Sequence, residues 1–289
     1  MADPARVALV TGGNAGIGLY TALGLARAGF RVIIHGRDPT RVERARRLVA
    51  ERSGSAAVET ALADFTSLAQ VRALADAALT AHDRLDLLVN NAGLIMPRLQ
   101  FSGDGVETTI AVNHLAPFLL TNLLLDRLRA SAQPNAPARI VTVASQAHRG
   151  ARLDLSDLTA PRDWTPLKAY GRSKLCNILF TRALARRLAG SGVVACCLHP
   201  GMVATGIGNR AGLAGLGWRV VKPFLIGPEK GAETSLFLAT TEDPAPFHGA
   251  YVVDKKIVEP DPAAGDDALG ERLWQESARL VGLPPEPAA

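Results

Sequence analysis

Apolar positions along the chain fall into two alternating kinds of segment. Short, largely unbroken runs at 7–10, 31–35, 58–63, 85–89, 139–145, 193–198 and 250–253 each close on a glycine or on a polar residue. Apolar runs of about 4–8 residues bounded by turn signals read as buried strands. Between them the spacing changes to that of a helix. Leu19, Ala22, Leu23, Leu25 and Ala26 share one face, and Val112, Leu115, Phe118, Leu119 and Leu123 another. Leu175, Ile178, Leu179, Ala183, Leu184 and Leu188 do the same, with further helices expected at 40–51, 68–80, 104–129, 228–239 and 269–280. Strand alternating with helix predicts an α/β fold: a Rossmann-like, doubly wound, seven-stranded parallel sheet flanked by helices, in a single domain spanning 1–289. Two stretches fall outside the pattern. Residues 206–227 set Leu213, Leu216, Trp218, Val220, Val221, Phe224, Leu225 and Ile226 among glycines, as expected of an apolar flap over a substrate, and 283–289 is a Pro/Ala tail expected to be disordered.

Composition narrows the function classes. With 289 residues, 48% hydrophobic and 20% charged, the chain buries an ample core without covalent staples. The net charge of +5 comes from arginines spread along helices, such as Arg41, Arg44, Arg46 and Arg47, without aromatic interleaving, which argues against a nucleic-acid partner. Three cysteines, Cys176, Cys196 and Cys197, have no metal-ligand spacing and read as reduced thiols, so no metal is expected. The start of the chain lacks a cleavage-site pattern, and the most apolar stretch, near 115–125, is interrupted by Pro117, Thr121 and Asn122. The expectation is a soluble, cytoplasmic protein without membrane attachment.

The strand ends carry the candidate chemistry. After the first strand, Thr11-Gly12-Gly13-Asn14-Ala15-Gly16-Ile17-Gly18 leads into a helix. Small residues there would let a pyrophosphate reach backbone N–H groups at the helix N-terminus. The spacing is GxxxGxG, not GxGxxG, and no Gly-Lys-Ser/Thr closes a P-loop. The second strand ends at Gly36-Arg37-Asp38-Pro39. Asp38 before Pro39 reads as a helix N-cap, which leaves Gly36 with no carboxylate to repel a 2′-phosphate and Arg37 placed to pair with one. NADP(H) is therefore preferred over NAD(H). Asp64 and Phe65 end the third strand near the adenine, and Asn90-Asn91-Ala92-Gly93 ends the fourth, suited to a tight turn beside a cofactor. Asn113 is a lone amide on an apolar helix that must be hydrogen bonded, either in a core network or in a water relay.

Ser145 closes the fifth strand, at the sheet edge where ligands bind in such folds. A polar loop at 146–165 leads to Tyr170-Gly171-Arg172-Ser173-Lys174, which sets Tyr170 and Lys174 one helical turn apart. Bringing a phenol from about 10 to about 7 takes roughly 4 kcal/mol of phenolate stabilisation. Burial opposes the shift, so Lys174 alone is insufficient; a second positive charge, such as an oxidised nicotinamide, together with a hydroxyl donor would complete a hydride-transfer site. Pro200 and Gly201, followed by Met202, Val203, Ala204 and Thr205, return to the same edge after the sixth strand. His148 and Trp218 are candidate substrate contacts, with a loop histidine satisfied by backbone the other reading of His148, and Leu94, Ile95 and Met96 are a candidate apolar wall.

These segments together, TGGNAGIG, NNAG, Asn113, Ser145, YGRSK and PGMVAT, resemble the short-chain dehydrogenase/reductase family along essentially the whole chain. SQAHRG, YGRSKLCN, Arg37 and the long interval from Ser145 to Tyr170 are similar to its retinol dehydrogenase-like branch. The resemblance implies that Ser145 orients the substrate and Tyr170 acts as acid/base. It further implies that Lys174 lowers the tyrosine pKa and holds the nicotinamide ribose, while Asn113 supports a proton relay. Cofactor contacts implied likewise are Gly12, Asn14, Ala15, Gly16, Ile17 and Gly18 at the phosphates, and Asp64, Phe65, Asn91, Ala92 and Gly93 on the adenosine side. Pro200, Gly201, Val203 and Thr205 are placed at the carboxamide. The expected activity is NADP(H)-dependent hydride transfer to or from the carbonyl/alcohol carbon of a small lipophilic substrate. Reduction of an activated C=C bond and a non-catalytic dinucleotide-sensing module are the alternatives, and assembly into a homodimer or homotetramer stays open.

Overall fold

In the computed structural model, residues 5–201 and 226–284 are described. The apolar runs form β1 (Val7–Val10), β2 (Arg31–Gly36), β3 (Val58–Leu62), β4 (Leu87–Asn90), β5 (Ala138–Val143), β6 (Val193–His199) and β7 (Tyr251–Val253), all paired in parallel. The sheet order among the described residues is β3-β2-β1-β4-β5-β6-β7-β8. The direction of winding therefore reverses between β1 and β4, and a crevice opens beyond their carboxyl ends, where open α/β sheets bind ligands.

The seven parallel strands match the expectation; an eighth, β8 (Lys256–Ile257), corrects it. β8 runs antiparallel to β7 through a two-residue turn in which Asp254 and Lys255 both have positive φ, 48° and 64°. That is the backbone a tight hairpin requires, adopted here without the usual Asn-Gly or Asp-Gly.

Helices cover both faces: α1 (Gly16–Arg27), α2 (Pro39–Ser53) and α6 (Pro228–Thr240) on one, and α3 (Leu68–Ala81), α4 (Thr108–Ser131), α5 (Pro166–Arg187) and α7 (Asp267–Val281) on the other. Strand alternation feeds the two cores separately. Leu9, Ile33, Leu88, Ile140 and Cys197 face one, and Val10, Val32, Ile34, Val89 and Cys196 the other. The adjacent cysteines thus point to opposite faces, and all three thiols are buried. α4 is long and apolar enough by composition to cross a membrane, yet 89% of the relevant window is buried inside the fold, as in a core helix.

Caps fix where the site helices begin. Asp38 accepts the Arg41 N–H at 3.0 Å, with Pro39 in the first turn of α2, as the sequence predicted. Thr165 accepts the Lys168 N–H at 3.2 Å and Pro166 follows, which sets Tyr170 and Lys174 in the early turns of α5. Leu283 donates its N–H to the Ala278 carbonyl and packs on the core. Residues 285–289 lie outside the described residues, as does the expected flap apart from Ile226 and Gly227.

Candidate active site

The glycine turn after β1 is held open by its neighbours. The Thr11 hydroxyl accepts the N–H groups of Asn91 and Ala92, both at 3.0 Å, and donates to the Val89 carbonyl at 3.2 Å. Asn91 returns its amide to the carbonyls of Thr11 at 2.8 Å and Gly12 at 3.2 Å. The two asparagines divide the work, since Asn90 is buried and donates to Thr121 at 2.9 Å. α1 begins at Gly16 after Ala15, whose side chain offers no cap, so its first N–H groups face the crevice together with Ile17 at the helix start. Gly18 is buried beneath them. A Cβ there would lie 2.4 Å from both the Gly12 carbonyl oxygen and Asn91 Nδ2, so only glycine permits this packing. An uncapped helix N-terminus over a turn whose Gly12, Gly13 and Gly18 are packed against backbone is a cradle that fits a pyrophosphate.

Ser145, Tyr170 and Lys174 come together at the ends of β5 and α5. Ser145 lies two residues past β5; its hydroxyl accepts the Ala147 N–H at 3.2 Å and acts on the Tyr170 phenol. Lys174 is buried, donates to the Val143 carbonyl at 2.7 Å, and its ammonium lies 5.5 Å from the Tyr170 ring centroid. Burial pushes the Tyr170 phenol above its usual pKa, and the hydrogen bond to Ser145 pulls partly back. Burial lowers Lys174 to about 8. Desolvation is thus the largest influence on the phenol. Gly171 lets α5 approach the serine turn, since a Cβ there would meet the Ala147 carbonyl oxygen at 2.7 Å.

Asn113 sits in a π turn, Ala111–Leu115, within α4. Its Oδ1 accepts the Leu94 N–H at 2.8 Å, and its Nδ2 donates to the Leu94 carbonyl at 2.9 Å and to Ser173 Oγ at 3.0 Å. Both amide hydrogens are engaged, so this side chain holds the strand-end loop against α5. π turns inserted in α-helices recur at functional sites.

His148 corrects an expectation. It is fully buried, not presented to a substrate: Nδ1 bonds the Ser145 carbonyl at 2.6 Å and Nε2 accepts the Asp261 N–H at 3.0 Å. Phe65 likewise lies in the core, stacked on His35 with ring centroids 4.4 Å apart, leaving Asp64 as the outward residue at the end of β3. Asp64 accepts from the N–H and hydroxyl of Thr66, both at 2.9 Å. Arg37 is exposed, its guanidinium 4.0 Å from Asp64, and the Asn14 carboxamide lies over Gly36. Gly93 faces Asn113 and Lys174, and Pro200 and Gly201 follow β6 at the same edge, with Ile226 against Gly201. Val203, Thr205 and Trp218 lie outside the described residues.

Sequence reasoning singled out His148 but assigned no role to His35 or His199. His35, His148 and His199 each accept a backbone N–H through a bare ring nitrogen, from Gly12 at 3.3 Å, Asp261 at 3.0 Å and Gln146 at 3.3 Å. A protonated ring could not accept these bonds. Burial lowers His35 and His199 to about 4, lowers His148, and lowers His114 to about 3. The unfolded chain takes up these protons near about 6.5, so below that it binds more protons than the folded state and stability falls as pH drops. Thermal melts should decline from about pH 6.5 toward about pH 5, before most carboxylates titrate. A melting temperature unchanged over that interval would mean that the rings are not held neutral. The signal available beforehand was the placement of polar residues such as His35 and His199 inside otherwise apolar strands.

The comparisons agree with this geometry. Residues 6–212 match the family model described as short chain dehydrogenase. Retinol dehydrogenase 12 of Mus musculus is 40% identical over 280 residues, covering 97% of this chain and 87% of that protein. Among solved structures, an uncharacterized protein from Mycobacterium paratuberculosis superposes with a TM-score of 0.78 at 33% identity, covering 98% of this chain and 95% of that one. The Pseudomonas aeruginosa RhlG/NADP active-site complex gives 0.70 at 29% identity, covering 87% and 96%.

Proposed function

This chain belongs to the short-chain dehydrogenase family, in its retinol dehydrogenase-like branch, and from that premise we propose that it is an NADP(H)-dependent oxidoreductase acting on the carbonyl/alcohol carbon of a small lipophilic substrate. The observation that carries the reading is the meeting of Ser145, Tyr170 and Lys174 at the same sheet edge as the uncapped start of α1. When bound, the nicotinamide supplies or takes up the hydride. The residues of the chain do the rest. Ser145 donates a hydrogen bond to the substrate oxygen, orienting it. Tyr170 gives that oxygen a proton in reduction and removes it in oxidation, and the Lys174 ammonium stabilises the phenolate left behind. Asn113 keeps the Leu94 loop and α5 in register around them.

Support for NADP(H) lies at the end of β2. Asp38 is committed to its cap, no other carboxylate directly follows Gly36, and the exposed Arg37 is free to turn from its loose 4.0 Å approach to Asp64 toward a 2′-phosphate. Arg37→Ala is expected to weaken NADPH by roughly 10- to 100-fold, with NADH changed by less than about twofold. Equal losses for both dinucleotides, measured by direct titration, would remove the preference. Support for a lipophilic substrate comes from Leu94, Ile95 and Met96, half-buried beyond β4, and from the retinol dehydrogenase relatives.

The deciding experiment follows NADPH and NADH consumption in parallel against aliphatic and aromatic aldehydes, retinal, steroid ketones and quinones. Turnover favouring NADPH with one of these carbonyls is the expected result. Tight binding of either dinucleotide without consumption by any member of the panel would favour a sensing module instead.

A further inference from the structure

We infer that His35 is a positioning residue for the dinucleotide turn, a neutral imidazole that locks the backbone of Gly12 to the end of β3. The inference rests on the proposed dinucleotide binding and adds a residue that none of the glycine, serine, tyrosine or lysine positions includes. His35 interrupts an apolar strand, following Val32, Ile33 and Ile34, and only 3% of its surface is exposed. Its Nδ1 is 3.3 Å from the Gly12 nitrogen and its Nε2 is 3.1 Å from the Ala63 carbonyl oxygen.

The two partners determine the tautomer between them. The Gly12 N–H can only donate, so Nδ1 is bare, and the Ala63 carbonyl can only accept, so Nε2 carries the hydrogen. No apolar residue can supply both, and a charged imidazole cannot accept from Gly12. The backbone of His35 reinforces the connection, because its carbonyl accepts the Gly13 N–H at 3.0 Å. One residue thus holds two consecutive amides of the turn. On the other side Ala63 precedes Asp64, the outward residue at the adenosine end, and the Phe65 ring stacks on the imidazole at 4.4 Å with a 21° tilt. The arrangement sets the span between the phosphate turn and the adenosine-side carboxylate, the span that a dinucleotide has to bridge. Burial holds the ring neutral, at about 4, against the partly opposing Ala63 and Asp64.

The chemistry allows the two bonds to be separated. In His35→Asn the side-chain oxygen can stand near Nδ1 and accept from Gly12, but nothing reaches Ala63. In His35→Gln the amide reaches toward Ala63 and the acceptor for Gly12 is lost. His35→Phe keeps the volume and the stacking and loses both. Dissociation constants for NADPH and NADH, read by nicotinamide fluorescence, are expected to rise roughly tenfold for Phe and for Gln and to stay within about threefold of wild type for Asn. Melting temperatures taken alongside should not follow that order, since Asn and Gln each sacrifice one buried bond. A role confined to stability would make affinity track melting temperature. Wild-type affinity in His35→Phe, or equal losses in Asn and Gln, overturns the inference; if Phe fails to fold, the Asn/Gln pair decides alone. Failure of the wild-type protein to bind either dinucleotide is a different outcome, which removes the proposed function and this inference with it.

Discussion

Tyr170→Phe is expected to cut turnover on the best carbonyl substrate by about 10³-fold or more while leaving NADPH affinity within about twofold. The substitution removes one oxygen and nothing else. Ser145 acts on the phenol from the end of β5, and the ammonium of Lys174 stands 5.5 Å from the ring it would have to serve. No other phenol is placed among the described residues to take over, since the remaining tyrosines are Tyr20 on α1 and Tyr251 on β7. Steady-state kinetics paired with dinucleotide titration would separate a lost proton donor from a disturbed pocket. Retention of more than about a tenth of wild-type turnover would exclude Tyr170 as the acid/base, because a positioned acid typically contributes 10²- to 10⁴-fold.

Gly18→Ala should abolish productive dinucleotide binding, raising the dissociation constant by about 100-fold or more. The added methyl would arrive 2.4 Å from the Gly12 carbonyl oxygen and from Asn91 Nδ2. Neither can retreat freely. Gly12 is held by His35 through its N–H, and Asn91 is tied by its side chain to Thr11 and Gly12 and by its backbone to Thr11. Relief must come from the turn itself, which is the surface the phosphates would use. Gly103→Ala is the matched control, because a Cβ there meets nothing within 4 Å. If Gly18→Ala bound NADPH as well as that control does, the turn would not be the phosphate cradle.

The sequence made the parallel strands legible because each is a short apolar run that stops at a polar or glycine residue, with little competition from helical spacing. It made the Tyr170 and Lys174 pair legible because one helical turn separates them. It could not reveal what depends on distant partners. His148 reads as a polar loop residue until Asp261, far along the chain, closes over it. Phe65 looks available for stacking on an adenine until His35 takes its face. The π turn at Asn113 arises where the N–H groups reach back five residues, as from Ala116 to the Ala111 carbonyl, and no periodicity in so short a stretch records it. β8 escaped notice because two residues are too few to show alternation, and Asp-Lys is a weak hairpin signal compared with Asn-Gly.

That hairpin also bears on how copies of the chain could meet. A bare β7 would offer a row of unpaired N–H and C=O groups, a template on which another chain can continue the sheet. Lys256 and Ile257 occupy that row, and the Val258 N–H closes it onto Tyr251 at 2.9 Å. The new rim is two residues long and carries a lysine, a short charged edge of the kind that discourages strand addition. Extension of the sheet from one copy to the next is therefore disfavoured along this side.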